Sequence, residues 1–102
     1  MAQFIKVATI DEIAPGTGKQ VEANGKQIAL FNLDGNFYAI DNTCTHRGGP
    51  LAEGFVEGED VTCPWHGAQF NIKTGAVVGP PATQRVTTYN VRVQGNEIEI
   101  EL

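Results

Sequence analysis

The chain has 102 residues, with 12 Asp and Glu against 7 Lys and Arg, so its formal net charge at pH 7 is −5. This length fits one domain with a modest hydrophobic core, to which a bound metal centre could add stability. The acidic balance argues against a nucleic-acid partner, because phosphates attract a basic surface. It is compatible with a partner protein that carries a basic patch, although such a balance is also common in cytosolic proteins.

The first forty residues predict β-strands joined by tight turns. The N-terminal stretch ATIDEIAPG (8–16) allows at most one short helical turn. Asn24-Gly25 lies between KQVEA and KQIALFN, and Asn-Gly between two such runs is the strongest short signal for a β-hairpin. A second hairpin is predicted where LDGN (33–36) separates IALFN from FYAI. No segment of a dozen residues has a convincing helical period.

The stretch from residue 41 to residue 81 is rich in Gly and Pro and shows little alternation. Its segments CTHRGGPLAEG, CPWHGAQF and KTGAVVGPPA are predicted to be loops. A short strand pair is predicted within GFVEGEDVTC (54–63) and QFNIKTGAVV (69–78). A loop-rich stretch of this length needs something to hold it together, and a metal centre would do so.

The C-terminal stretch predicts a hairpin, because TTYNVRV (87–93) and EIEIEL (97–102) alternate on either side of QGN. One face of this hairpin is predicted to be buried and the other to face water. The predicted buried set is Val91, Val93, Ile98, Ile100 and Leu102, and the predicted exposed set is Arg92, Glu97, Glu99 and Glu101.

The two cysteines and two histidines of the chain form two pairs. One residue separates Cys44 from His46, two separate Cys63 from His66, and sixteen lie between the pairs. Taken singly, a Cys is usually a small buried hydrophobe and a His a hydrogen-bonded polar group. Together the pairs use every Cys and His in the chain, which predicts one shared metal centre. Glycines and prolines beside the pairs would let the backbone approach it closely.

Two thiolates and two imidazoles could hold a tetrahedral zinc ion, or a [2Fe–2S] cluster with both Cys on one iron and both His on the other. The spacing alone leaves both open. A Cys2His2 zinc finger usually places its two Cys before its two His and ends on a helix, whereas here Cys and His interleave among strands and loops. In a reducing compartment, metal ligation is a better prediction for two cysteines than a disulfide.

The segments CTHRGGPLAEG, CPWHGAQFN and GPP resemble the Rieske family of iron–sulfur proteins, and the similarity runs over most of the chain. At this length the chain resembles the soluble Rieske-type ferredoxins of bacterial ring-hydroxylating oxygenase systems. The resemblance implies an all-β Rieske fold with an antiparallel, sandwich-like base domain made of residues 1–40 and 82–102. A loop-rich cluster-binding subdomain, residues 41–81, would be inserted into this single domain.

The same resemblance implies the ligand set of one Rieske-type [2Fe–2S] cluster. Cys44 and Cys63 would bind the inner iron, and His46 and His66 would bind the outer iron near the surface. The segment VGPPA (78–82) would correspond to the proline loop that covers the cluster.

The function implied is one-electron transfer from a flavin-containing NAD(P)H reductase to a terminal oxygenase. The chain would not itself be an oxygenase, because that activity needs a mononuclear iron bound by two His and a carboxylate, and no further His remains. A small subunit of another reductase, such as nitrite reductase, and a structural zinc protein are the alternatives. The absence of a signal peptide and of a long apolar run predicts a cytoplasmic protein with no membrane partner. The acidic balance predicts that it has no nucleic-acid partner. A monomer is expected.

Neutral imidazoles favour uptake of an electron, so the predicted reduction potential lies in the range of roughly −150 to +300 mV. High-potential relatives carry disulfide cysteines, a Ser and a Tyr at the positions of Gly49, Trp65, Ala68 and Phe70, and this places the expected potential near the low end. Trp65 is predicted mainly to shield the cluster from water, with partner docking as its alternative role. Phe55 and Phe70 are predicted to be core residues beneath the loops, and the acidic segment 57–60 to be an exposed turn.

Overall fold

The computed structural model describes residues 3–43, 49–65, 67–79 and 84–102. Across these ranges it contains eleven β-strands, two three-residue 3₁₀ turns and no α-helix, which confirms the all-β prediction. The strands are β1 (Phe4–Thr9), β2 (Thr17–Ala23), β3 (Lys26–Leu33), β4 (Asn36–Asp41), β5 (Phe55–Glu57), β6 (Asp60–Thr62), β7 (Gln69–Asn71), β8 (Val77–Gly79), β9 (Thr88–Tyr89), β10 (Val91–Gln94) and β11 (Glu97–Glu101). The 3₁₀ turns are η1 (Ile10–Glu12) and η2 (Leu51–Glu53).

The strands form three antiparallel sheets, named here by their order of strands. Sheet I is β1-β11-β10, sheet II is β2-β3-β4-β9, and sheet III is β5-β6-β7-β8. Both predicted N-terminal hairpins are confirmed in sheet II. Their turns, Asn24-Gly25 and Asp34-Gly35, have positive φ at both residues, which matches the right-handed twist of the strands they join.

Sheet II lies between two hydrophobic cores, because strand β3 buries both of its faces. Ile28 and Leu30 belong to a core with Ile98 and Ile100 of sheet I, named here core I/II. Ala29 and Phe31 point to the opposite side and belong to a core with sheet III, named core II/III, whose members from that sheet are Val61 and Phe70. The apolar run IALF is typical of a strand that is covered on both faces.

The C-terminal stretch differs from the prediction in its strands and in the burial of several side chains. It is not one strand over 87–93, because β9 pairs with β4 in sheet II and β10 pairs with β11 in sheet I. Ile98 and Ile100 are buried as predicted, but Val91 and Leu102 are only half-buried and Val93 is 45% exposed. Arg92 is exposed as predicted, whereas Glu97, Glu99 and Glu101 are half-buried. Val93 lies on β10, one of the two edge strands of sheet I.

Sheet III uses residues 55–79, while sheets I and II use residues 4–41 and 88–101. The division into a base and an inserted subdomain, with boundaries at 41 and 81, stays a prediction, since core II/III is continuous between sheets II and III. The predicted strand pair in the middle of the chain is present and extends to four strands. Among the described residues, no helix has the length and apolar character that crossing a membrane requires.

Candidate metal centre

One of the four predicted ligands, Cys63, lies in the part of the chain that the structure describes. Cys44, His46 and His66 lie outside the described residues, as do Arg47 and most of the predicted proline loop. Cys63 directly follows β6 and is 2% exposed, within core II/III. No group of three Cys, His, Asp or Glu side chains that could hold a metal occurs within the described ranges alone.

Backbone hydrogen bonds fix Cys63 at the start of the loop between β6 and β7. The Cys63 N–H donates to the Ala68 carbonyl at 2.7 Å, and the Gly67 N–H donates to the Cys63 carbonyl at 3.2 Å. Gly67 has a φ of 78°, a conformation that glycine adopts without the steric penalty of a side chain. We call residues 63–68 the second ligand loop, after the predicted ligands Cys63 and His66, and these bonds close it at its base.

We call residues 43–50 the first ligand loop, after the predicted ligands Cys44 and His46, and a separate set of contacts around Asn42 closes it. Thr43 and Pro50 form an antiparallel bridge, so the segment between them enters and leaves at one place. The Leu51 N–H donates to the Asn42 backbone carbonyl at 2.7 Å, and the Ala52 N–H donates to the Asn42 side-chain carbonyl at 2.8 Å. Asn42 is 5% exposed, and its side chain therefore joins the end of β4 to η2 inside the protein.

The two loops meet at Gly49, the residue that follows the 44–48 segment. A Cβ atom at Gly49 would lie 2.6 Å from the Sγ atom of Cys63 and 3.1 Å from the Cγ atom of Trp65. The backbone of the first loop thus lies directly against the buried thiol of the second, and only glycine leaves room for it. The surroundings of Cys63 thus fit a site that draws on both loops, and the close approach of the backbone to a metal centre stays a prediction.

The aromatic side chains near Cys63 have different environments. Phe70 and Ala68 are fully buried, so Phe70 is a core residue as predicted. Trp65 lies against Gly49 on one side, yet 58% of it is exposed. Phe55 is 70% exposed, and the prediction that it is a core residue is wrong. It stands at the start of β5 on the outward face of sheet III, opposite the face that packs on sheet II.

Asp41 and Tyr89 link the base of the first loop to β9. The Tyr89 hydroxyl donates to Oδ1 of Asp41 at 2.5 Å. Burial and the nearby Asp41 carboxylate together raise the pKa of Tyr89 to about 12, because both disfavour a charged phenolate. Tyr89 therefore stays a neutral hydrogen-bond donor at any ordinary pH, and its acceptor Asp41 directly precedes Asn42 at the base of the first ligand loop.

An all-β chain in which the backbone at Gly49 lies against a buried thiol of a neighbouring loop has a structure that fits an iron–sulfur electron-transfer domain. The chain belongs to the Rieske family: the Rieske [2Fe-2S] domain model matches residues 3–90. One cluster of this type is the cofactor of the family.

Among named relatives, the ferredoxin component of the naphthalene 1,2-dioxygenase system of Pseudomonas aeruginosa is 36% identical over 100 residues, which cover 98% of this chain and 96% of the relative. The ferredoxin of carbazole 1,9a-dioxygenase from Nocardioides aromaticivorans IC177 superposes with a TM-score of 0.92 at 31% identity, covering 96% of each chain. A chain from the complex of reduced oxygenase and oxidised ferredoxin of carbazole 1,9a-dioxygenase superposes with a TM-score of 0.89 at 33% identity, covering 95% of this chain and 91% of that one.

The fold is also shared with a protein from another system. A protein described as an NADH-dependent nitrite reductase small subunit from Mycobacterium tuberculosis superposes with a TM-score of 0.89 at 26% identity, covering 100% of this chain and 96% of that one.

Proposed function

We propose that the chain is a one-electron carrier that delivers electrons from an NAD(P)H-dependent flavin reductase to the terminal oxygenase of a ring-hydroxylating system. It is an electron-transfer component and not itself the enzyme that oxidises the substrate. Support comes from the ferredoxin components of dioxygenase systems among its relatives, and from the related ferredoxin solved with its oxygenase. The observation that carries the proposal is the contact of Gly49 with the buried Cys63 thiol, because it joins the two ligand loops.

The proposed ligands of the [2Fe–2S] cluster are Cys44, His46, Cys63 and His66. Cys44 follows Thr43, which pairs with Pro50, and Gly49 lies against the Cys63 thiol. The segment that carries two of the proposed ligands therefore leads into Gly49, which lies beside the thiol of a third. The segment 78–82 is proposed to cover the site. Residues 41–81 are proposed to act as the cluster-binding part of a single domain.

When bound, the cluster takes up and gives up one electron, and two neutral imidazoles in place of two thiolates make reduction easier. Two positions beside the site in the described part of the chain lack the hydroxyl that high-potential relatives carry. Ala68 and Phe70 are fully buried and carry no hydroxyl, and Gly49 with Trp65 cannot form a disulfide. The proposed potential is therefore near the low end of the family range, and a redox titration well above about +100 mV would contradict it.

The proposed partners are proteins, met one after the other through small interfaces, which suits a monomer in the cytoplasm. The net charge of −5 favours partners with basic surfaces and disfavours nucleic acid.

The test begins with protein purified or reconstituted under anaerobic conditions. We expect a red-brown protein with two irons per chain and, after dithionite reduction, the rhombic paramagnetic signal of a Rieske centre. The reduced protein should then be reoxidised by purified terminal oxygenases of the naphthalene, biphenyl and carbazole dioxygenase systems, and the oxidised protein reduced by NADH with their reductases. A colourless protein that retains zinc would contradict the proposal and support the structural zinc alternative.

A nitrite reductase small subunit is the second candidate, favoured by the shared fold at a TM-score of 0.89. The two functions separate in the electron-transfer assay. A chain that supports nitrite reduction with a large reductase subunit and transfers no electron to any oxygenase of the set would be the subunit and not the ferredoxin.

A further inference from the structure

The side chain of Gln69 bridges three strands of sheet III. Gln69 begins β7, where it pairs with Thr62 of β6 on one side and with Gly79 of β8 on the other. Its side-chain N–H donates to the Thr62 hydroxyl at 3.2 Å. A Cβ atom at Gly79 would lie 2.8 Å from Oε1 of Gln69 and 3.6 Å from its Cβ and Cδ atoms. The Gln69 side chain therefore lies directly over Gly79, where only glycine leaves room for it.

This bridge crosses the base of the second ligand loop. Thr62 directly precedes Cys63, and Gln69 directly follows Ala68. The Cys63 N–H donates to the Ala68 carbonyl at 2.7 Å. The bond between the Thr62 and Gln69 side chains lies one residue further out on each side. The base of the loop is thus held by a backbone bond and, just outside it, by a side-chain bond.

Packing in the core does not explain why Gln occupies this position. Val61 and Phe70 are fully buried in core II/III, and each is next in sequence to one member of the bridge. Because side chains alternate along a strand, Thr62 and Gln69 lie on the opposite, partly exposed face. A β-branched residue would favour a strand there at least as well as Gln. What Gln supplies is a long side chain with both a donor and an acceptor at its end.

The bridge also crosses a β-bulge at the end of β8. Gln69 pairs with Gly79 whereas Phe70 pairs with Val77, so Val78 is an extra residue between them. A bulge bends its strand and disrupts the ladder locally, and bulges are common next to functional sites. Val78 is 49% exposed, whereas Gly79 is buried beneath the Gln69 side chain. Gln69 therefore connects an irregular strand end to the strand that leads into Cys63.

We propose that Gln69 is a positioning residue of the metal centre, which acts through Thr62 to hold Cys63 where its thiolate binds iron. The proposal rests on the proposed function for the identity of the metal and for Cys63 as a ligand. Removal of a group that directly orients a metal ligand typically costs about 10–100-fold in metal affinity. Gln69 stands one residue further back, so its removal should have a smaller effect, about threefold to tenfold.

The test measures the rate at which the protein, purified with its cluster, releases iron to a chelator, together with the paramagnetic signal after dithionite reduction. Gln69→Met keeps the length of the side chain but removes the amide, and Thr62→Val removes the hydroxyl at nearly constant volume. Each should speed iron release about threefold to tenfold. Each should also broaden the paramagnetic lines, because Cys63 would then occupy a spread of positions at the iron. Thr62→Ser keeps the hydroxyl and should behave as the wild type.

Two further comparisons show whether the effect passes through the bridge. The double variant Gln69→Met/Thr62→Val should release iron no faster than either single variant, because both changes remove the same bond. Gly79→Ala should reproduce the effect of Gln69→Met, since the three atoms nearest to the added methyl group all belong to Gln69. In a Gln69→Ala background, Gly79→Ala should have no further effect.

Gln20→Met is the matched control, because Gln20 also donates a side-chain hydrogen bond to a neighbouring strand, to Gln27 in sheet II. It removes the same chemical group from a sheet that carries no predicted ligand. Iron release and the paramagnetic signal should stay as in the wild type. Urea midpoints of all variants are measured in parallel, so that a general loss of stability is recognised.

The proposal is overturned if Gln69→Met and Thr62→Val keep the wild-type release rate and line shape, if their effects add in the double variant, or if Gln20→Met speeds release equally. A release rate that follows the urea midpoint across all variants would also overturn it. If Gln69→Met does not fold, the comparison of Thr62→Val with Thr62→Ser decides alone. Failure of the proposed function is seen on the wild type, which would then reduce no oxygenase or would hold zinc. In the zinc case the same release assay is run on zinc.

Discussion

Sheet III is stabilised in a different way from sheets I and II. The strands of sheet II run for six to eight residues from β2 to β4 and are joined by two short turns. Each strand of sheet III has only three residues. Strands this short give little stability by themselves, and sheet III instead shares core II/III with Ala29 and Phe31 of β3. The candidate metal centre thus depends on the packing of Phe31, which belongs to strand β3 of sheet II.

Phe31→Ala should have the largest effect, because it removes a fully buried ring from core II/III. The expected loss is about 3–5 kcal/mol in the free energy of unfolding, a large part of the stability of a domain this size. Cluster content should fall as well, since sheet III and Cys63 pack in the same core. Urea denaturation gives the stability, and iron per folded chain gives the cluster content.

Ile98→Ala is the control for Phe31→Ala, because Ile98 is fully buried in core I/II. It should cost about 2–5 kcal/mol but leave the iron content of the folded protein unchanged. A milder Phe31→Leu variant serves if Phe31→Ala does not fold. Equal loss of iron in the Ile98 and Phe31 variants would show that core I/II affects iron binding as much as core II/III does.

Gly49→Ala tests the meeting of the two ligand loops. The added methyl group would lie 2.6 Å from the Cys63 Sγ, so the thiol or the first loop must move. Overpacking of this kind costs about 1–3 kcal/mol, and here we expect it mainly as loss of bound iron and a changed visible spectrum. Gly58→Ala is a useful contrast, because Gly58 has a φ of 60° and no atom within 4 Å of the added group. It should lower stability through backbone strain without changing the spectrum.

Asn42→Ala should give a smaller loss of stability that is again coupled to the site. The variant leaves the buried Ala52 N–H without its acceptor, which costs about 1–3 kcal/mol. Asn32→Ala offers a comparison within sheet II, since Asn32 is equally buried. Its side-chain amide donates to the Ile13 carbonyl and accepts a hydrogen bond from the Gly35 N–H. Both variants should lower the urea midpoint, but only Asn42→Ala should also speed the release of iron to a chelator. Equal release from both would exclude a special role for Asn42 in closing the first loop.

Much of the fold could be predicted because its signals are local. Asn24-Gly25 and the LDGN segment define two hairpins through the backbone conformations that their residues allow. The alternation of apolar and polar residues in EIEIEL correctly predicted that Ile98 and Ile100 are buried. The metal centre could be predicted for a similar reason, since two pairs of soft ligands at short spacing leave few other interpretations. The assignment of those ligands stays a prediction.

Other features could not be predicted because they depend on which elements meet. The break at Asn90 reflects a change of partner strand, from β4 to β11, and the sequence alternates through it without interruption. Phe55 and Phe70 look alike as aromatic residues in short strands, and only the register of sheet III puts one outside and one inside. Asn42 gave no local signal, because its partner Ala52 lies ten residues away.

Substitution of Tyr89 has the smallest predicted effect on stability. It tests how firmly sheet II holds the base of the first ligand loop. Its pKa in the folded protein is about 12, against an ordinary value of 10.0. Between these values the unfolded chain loses the phenolic proton while the folded chain keeps it, so alkali favours unfolding. The stabilisation is fully present below pH 10 and is lost as the pH rises toward 12. After allowance for solvent screening, the loss should be roughly 1–2 kcal/mol.

Tyr89→Phe removes both the hydrogen bond to Asp41 and this titration, so it should be less stable than the wild type at pH 8 by about 0.5–1.5 kcal/mol. Urea midpoints of the two proteins should converge as the pH is raised above 10, because only the wild type carries this group. A constant difference across that range would show that the Asp41–Tyr89 contact does not hold the phenol neutral, and that the base of the first ligand loop is held by the Asn42 contacts and the Thr43–Pro50 bridge without it.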